Sequence, residues 1–169
     1  ILVIGGVTLG KVLLDKYSYS KEEADWNEFY QVSETDRSAI ILQDEMVEEQ
    51  ALIRDGVCYF DLATVHKYMN EVFYADVTEN LLLYATPTEV IRTVFGETSY
   101  NTTEGMQDAG FVISFVEGDT VYVAADYVKL FTNYSYECYD RHVQVYTEWG
   151  TRQVAQLKKD TAVRLRGGV

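Results

Sequence analysis

DTVYVAADYVKLFTNYSYECYD, residues 119–140, repeats the order of an earlier stretch, GVCYFDLATVHKYMNEVFYAD, residues 56–76. Tyr122 lies 63 residues after Tyr59, and at that offset Val65 meets Val128, Tyr68 meets Phe131, Asn70 meets Asn133 and Phe73 meets Tyr136. Removing one residue from the next turn brings Tyr84 onto Tyr146. Helix face, helix stop and flanking strands recur in order, so the spacing predicts one strand–strand–helix–strand–strand unit used twice. A short helix with one apolar stripe must bury that stripe, and a small antiparallel sheet can wrap it. Each unit is marginal alone, so the two are expected to share an interface. The expected fold class is α+β: two tandem small units, each an antiparallel sheet wrapped around one short helix.

Working outward, Asp55-Gly56 between two apolar runs is the strongest hairpin signal in the chain. Asp61 can cap a helix that carries Leu62, Val65 and Met69 on one face, and Asn70 can end it in the left-handed conformation. Strands are expected over 72–76 and 81–86 around a turn at 77–80. The stretch 88–96 reads as extended or as a short helix. Residues 97–110, polar and glycine-bearing, read as a loop and as the boundary between halves. The second half gives a strand at 110–116, a turn, a strand at 120–123, and a helix over 124–133 with Ala125, Val128 and Phe131 on one face. Strands over 134–139 and 143–147 follow, around a turn at 140–142. Upstream, Ser20 and Glu23 form a capping box for a helix over 21–29, then a polar connector leads to a strand at 39–43. The divisions are an anchor remnant (1–15), short helix and connector (16–37), first unit (38–95), loop (96–110), second unit (111–150) and a C-terminal stretch (151–169).

The chain has 169 residues, 47% of them hydrophobic, enough for a core. Its net charge of −13 argues against nucleic acid and against anionic lipid as partners. Acidity of this kind keeps a surface solvated. The opening run ILVIGGVTLG is apolar or small throughout, but a membrane span needs about 20 apolar residues. It reads either as the outer end of a signal anchor or as a buried strand or helix; Gly5-Gly6 and the all-round apolar character favour the anchor.

Residues 55–86 and 117–147 resemble the copper amine oxidase N-terminal-like repeat: a turn, V-Y-V, a helix, Asn, an aromatic, then a turn and an aliphatic strand. In that family the helix usually stops at Gly; here Asn70 and Asn133 stand in its place. The resemblance implies five-stranded antiparallel sheets around one helix, on surface proteins of Gram-positive bacteria, without copper. NLLLYATPTEVIRT (80–93) and LKKDTAVRLRGGV (157–169) are similar to the region before the catalytic barrel in clostridial family 18 glycoside hydrolases. There an anchor leads to such repeats and then to a Src-homology-three-like module, whose first strand TAVRLRGGV resembles.

The chemistry expected of an enzyme is absent from the sequence. The DxxDxDxE run of family 18 is missing, as are GxSxG, HExxH, a P-loop and GxGxxG. His66, on a predicted helix, and His142, in a predicted turn, read as surface histidines. Cys58 and Cys138 form no CxxC; both align with apolar positions and read as small core residues. A bridge between them stays open for an exported protein, with nothing in the spacing to support it. Asp44, Glu45, Glu48 and Glu49 lack the spacing of a calcium loop and read as a solvated face. No other carboxylates stand out as a glycosidase pair. No cofactor, metal or catalytic residue is assigned.

Tyr59, Tyr122, Tyr84 and Tyr146 occupy repeat-matched strand positions, where a sheet wants aromatics. Trp26 and Trp149 lie outside the repeats and are the candidates for glycan contact. The expectation is a non-catalytic, membrane-proximal stalk or spacer on the outer face of the plasma membrane, in a parent protein that the resemblance implies to be a family 18 glycoside hydrolase acting on cell-wall or chitin-like glycans. The alternative is a module that binds polysaccharide or peptidoglycan through exposed aromatics. Free aromatics clustered on one exposed face would favour that alternative.

Overall fold

A computed structural model describes residues 25–147. The anchor remnant at 1–15, the capping box at 20–23, Trp149 and the module start within 151–169 lie outside the described residues. At the predicted hairpin Asp55 and Gly56 both have positive φ, 52° and 78°, as a two-residue turn between right-twisted strands requires. Around it β2 (Glu45–Arg54) pairs with β3 (Val57–Asp61). β3 runs directly into α2 (Leu62–Tyr68), because Asp61 is both the last strand residue and the helix cap. Its carboxylate accepts from the Thr64 N–H at 2.6 Å and from the Thr64 hydroxyl at 2.9 Å. β4 (Phe73–Asp76) and β5 (Leu81–Ala85) follow, around a turn in which Asp76 Oδ1 accepts the N–H groups of Thr78 and Glu79. The same order recurs as β9 (Ser114–Glu117), β10 (Thr120–Ala124), α3 (Ala125–Lys129), β11 (Ser135–Cys138) and β12 (His142–Tyr146).

With β1 (Arg37–Leu42), these strands form a curled seven-stranded sheet in the order β11-β12-β1-β2-β3-β10-β9. A second, antiparallel sheet runs β4-β5-β6-β7-β8, adding β6 (Val90–Val94), β7 (Ser99–Thr102) and β8 (Gly105–Asp108). The fold is α+β and mostly strand. Sheet membership does not follow the two sequence stretches. β3 and β10 pair with each other where the two stretches meet, with Tyr59 opposite Ala124, Phe60 opposite Val123 and Asp61 opposite Tyr122. Phe60 and Val123 are themselves 63 residues apart, so an approximate two-fold axis passes between them. Both α2 and α3 pack on β3 and β10. Each outer strand pair reaches the other half through a bridging segment. β1 lies between β12, in parallel, and β2, antiparallel. The chain after β6 binds β9's start through Gly96 N–H to Ser114 O (2.7 Å) and Ile113 N–H to Glu97 O (3.0 Å).

Several expectations are corrected. Of the helix expected over 21–29, the described residues show Asp25 extended and capping α1 (Trp26–Tyr30); residues 21–24 lie outside them. Neither Asn70 nor Asn133 is left-handed. Asn70 Oδ1 accepts the Val72 N–H at 3.0 Å, and its amide donates to Thr132 Oγ1 at 2.8 Å, tying the end of α2 to the end of α3. α3 stops at Lys129 rather than running on to 133, and the strand expected from 110 begins at Ser114. The loop expected over 96–110 holds the hairpin β7–β8, turned at Gly105 with φ 121°. Its outer face pairs Asn101 with the exposed Met106, and its one large inward anchor is Tyr100, whose ring lies 5.3 Å from that of Tyr127.

The core is a single cluster around the β3–β10 pair: Phe60, Val65, Val123, Tyr127, Val128, Phe73 and Leu82 are all buried.

Candidate functional site

α1 is five residues long, and Trp26, Phe29 and Tyr30, at i, i+3 and i+4, share one face. Asp25 Oδ1 accepts the Asn27 N–H at 2.9 Å to start it, and Gln31, left-handed at φ 55°, ends it. Val32, which follows, is buried, and Gln50 of β2 donates its amide to the Gln31 carbonyl at 3.1 Å, tying the helix end to the sheet, while none of the helix's own residues is buried. The aromatic face is thus held in place without being consumed by the core.

Against it comes the tight turn between β11 and β12. Tyr139 N–H donates to His142 O at 2.8 Å, which brings the two side chains together. Their rings stack at 4.6 Å with 13° between planes. His142 stacks in turn on Tyr30 at 4.8 Å, and Tyr30 on Trp26 at 6.0 Å. Trp26–Tyr30–His142–Tyr139 is one continuous column of rings. Trp26 is 55% exposed and Tyr139 51%, with Phe29 beside them at 45%. Together with Asp140 and Arg141 the column lines an open groove of about 250 Å³. Arg141 is held by the Glu34 carbonyl at 3.3 Å, and Tyr139 donates its hydroxyl to Glu137 at 2.6 Å. Burial lowers the pKa of His142, so the ring inside the column favours its neutral form. The arrangement joins apolar ring surface to a carboxylate, a guanidinium and a phenol, the combination that a sugar face and its hydroxyls can use.

A wider groove of about 460 Å³ opens between Glu89, Tyr100, Thr103, Gln107 and Phe131. There Glu89 Oε1 already accepts from the Thr103 N–H and hydroxyl, at 3.1 and 3.0 Å, so these two residues of its wall are spent on each other.

Of the sequence candidates, Trp26 is placed in the column, whereas Trp149 lies outside the described residues. His142 is the first residue of β12 and half-buried, not a free turn histidine. His66 is exposed, with its Nε2 2.6 Å from the Phe73 carbonyl. Tyr59 and Tyr122 are buried sheet residues, and Cys58 is buried, as expected; Cys138 is exposed, not a core residue. Glu49 of the acidic run binds Lys67 at 2.6 Å and Tyr68 at 3.0 Å. No group of three metal-ligating side chains occurs among the described residues. Sequence reasoning missed Tyr30, Tyr139 and His142. The i, i+4 spacing of Trp26 and Tyr30 was the available signal.

No family model, curated protein or solved structure matches this chain.

Proposed function

We propose that this chain is a non-catalytic glycan-binding region of an exported surface protein, with the Trp26–Tyr30–His142–Tyr139 column as its contact surface. The reading rests on that column: four rings, two of them more than half exposed, are assembled from two distant segments and left outside the core. Stacking surfaces of this kind suit cell-wall or chitin-like polymers, the substrates that the family 18 resemblance implies for the parent protein. The rest of the proposal is that two copies of one strand–strand–helix–strand–strand unit have merged their sheets, and that the anchor places them outside the plasma membrane.

The spacer reading draws less support from the geometry. Trp26 sits beside His142 at the start of β12, and Thr147 directly follows that strand. The described chain therefore comes in and goes out about one strand length apart, roughly 17 Å. A body of this size is about twice that across, so as a spacer it would deliver about half its own width.

The test is cosedimentation of the 169-residue chain with purified peptidoglycan and with chitin. Saturable binding is expected to at least one, weakened roughly tenfold or more in Trp26→Ala and in Tyr139→Ala. No binding of the parent chain to either polymer would sink the glycan reading and leave the spacer.

A further inference from the structure

The curled sheet brings together two cysteines that lie eighty residues apart in sequence. Cys58 shares a face of β3 with Phe60, and Cys138 shares a face of β11 with Tyr136, because side chains alternate along a strand. β11 and β3 are separated by β12, β1 and β2, so in a flat sheet they would lie four strand spacings apart, roughly 19 Å. Instead the rings of Phe60 and Tyr136 meet at 6.4 Å. The sheet has rolled until these like faces touch. One step along the same two strands, Cys58 and Cys138 are brought to the same meeting of faces, close enough for each thiol to shift the titration of the other. Neither cysteine is disulfide-bonded in this structure; Cys58 is buried and Cys138 exposed.

We propose that Cys58 and Cys138 are a redox-active dithiol site, which a small dissolved disulfide oxidises to an intramolecular bond that fastens edge strand β11 to β3. The asymmetry of the pair sets the order of events. The neighbouring Cys138 sulfur and burial both push the Cys58 thiol up, while the Cys58 thiol beside it pulls the exposed Cys138 thiol down. The Cys138 thiolate therefore attacks first. It breaks the S–S bond of the incoming disulfide, forms a mixed disulfide and releases one small thiolate. Cys58 then gives up its proton and attacks Cys138 Sγ, releasing the second small thiolate. Two protein thiols are oxidised, one small disulfide is reduced, and the two protons end on the departing thiols. The small molecule need not enter the core, since only the exposed sulfur meets it.

The experiment treats the whole chain with oxidised glutathione and, separately, with dithiothreitol. Free thiols are then counted under denaturing conditions, and the mass and melting temperature are recorded. Oxidation is expected to remove both thiols, lower the mass of the monomer by two hydrogen atoms and raise Tm by roughly 10 °C. Dithiothreitol should reverse all three. Cys138→Ser should abolish the rise, and Cys58→Ala should stop at the glutathione adduct on Cys138. If Cys58→Ala fails to fold, peptide mapping of the oxidised parent chain still decides, through a cross-linked pair containing both residues. A stable glutathione adduct on Cys138 beside a free Cys58, a Cys138-linked dimer, or two unreacted thiols would each overturn the proposal.

Discussion

α2 and α3 occupy matching places in the two stretches and pack on the same strand pair, yet they are held by different means. α2 begins on Asp61, whose carboxylate closes the first turn through Thr64. At the offset of 63, Asp61 becomes Ala124 and Thr64 becomes Tyr127. Ala124 supplies no side-chain cap and is fully buried, and α3 is two residues shorter than α2. What α3 has instead is the Tyr127 ring, 1% exposed, packed 5.2 Å from Phe131, 5.3 Å from Tyr100 and 6.2 Å from Phe73, with its hydroxyl 3.1 Å from Thr93 Oγ1. One helix is fixed by local hydrogen bonds at its end, the other by a large side chain driven into the core. Equivalent topology does not require equivalent energetics.

The sharpest way to break that contrast is at Tyr127. Tyr127→Ala should cost about 4 kcal/mol in urea unfolding, the usual scale for emptying a buried aromatic site. Tyr127→Phe should cost about 1 kcal/mol, since it strands the buried Thr93 hydroxyl. A loss at Tyr127→Ala no larger than at Thr64→Ala would remove the distinction. Next comes the cap: Asp61→Ala should lose about 1 kcal/mol by the same measurement. The site cannot be transplanted, because an aspartate at Ala124 would sit buried.

A smaller effect separates the regions by pH. Burial holds the His142 pKa below its usual 6.5. The unfolded chain then takes up the proton first, so His142's contribution is intact above about pH 6.5 and is lost as pH falls through the lower folded value. Melting temperatures taken from pH 7 down to pH 5 should show this loss, and His142→Phe, which keeps a ring in the column, should lack it. The least effect belongs to Arg54 and Glu117, themselves 63 residues apart and ion-paired across the sheet. Their partnership is solvent-facing, so Arg54→Ala should shift Tm only slightly, and the shift should vanish in high salt.

Much of this architecture was readable where local chemistry and pattern agreed. Asp55-Gly56 specified its turn, Asp61 its cap, and the runs 81–86 and 143–147 their strands to within one residue. The hairpin at 99–108 was not readable, because Ser99, Asn101 and Thr102 are polar and Tyr100 alone marks the inner face. Asn70 misled for a different reason: its side chain serves a contact with Thr132, 62 residues away, that outweighs its local preference. The candidate site was half legible. Trp26 stood out as an aromatic outside the repeats, but Tyr139 and His142 join it only through the pairing of strands from the far end of the fold. The two thiols were invisible as neighbours for the same reason, since only the rolling of the sheet unites them.

That β1 lies in the middle of the large sheet, in parallel with β12, carries a consequence for how the chain acquires its shape. Ile40 faces Val143, a contact spanning about one hundred residues. During synthesis β1 and β2 emerge first and can form their hairpin, but the other side of β1 has no partner until β12 leaves the ribosome. Closing so long a loop is entropically costly, so this pairing is expected to form after the hairpins between neighbouring strands. Through that interval β1 presents an unpaired hydrophobic edge of Ala39, Ile40, Ile41 and Leu42. That edge is the place where a second nascent chain could lend its own β12, producing a strand-exchanged dimer before the monomer has finished closing.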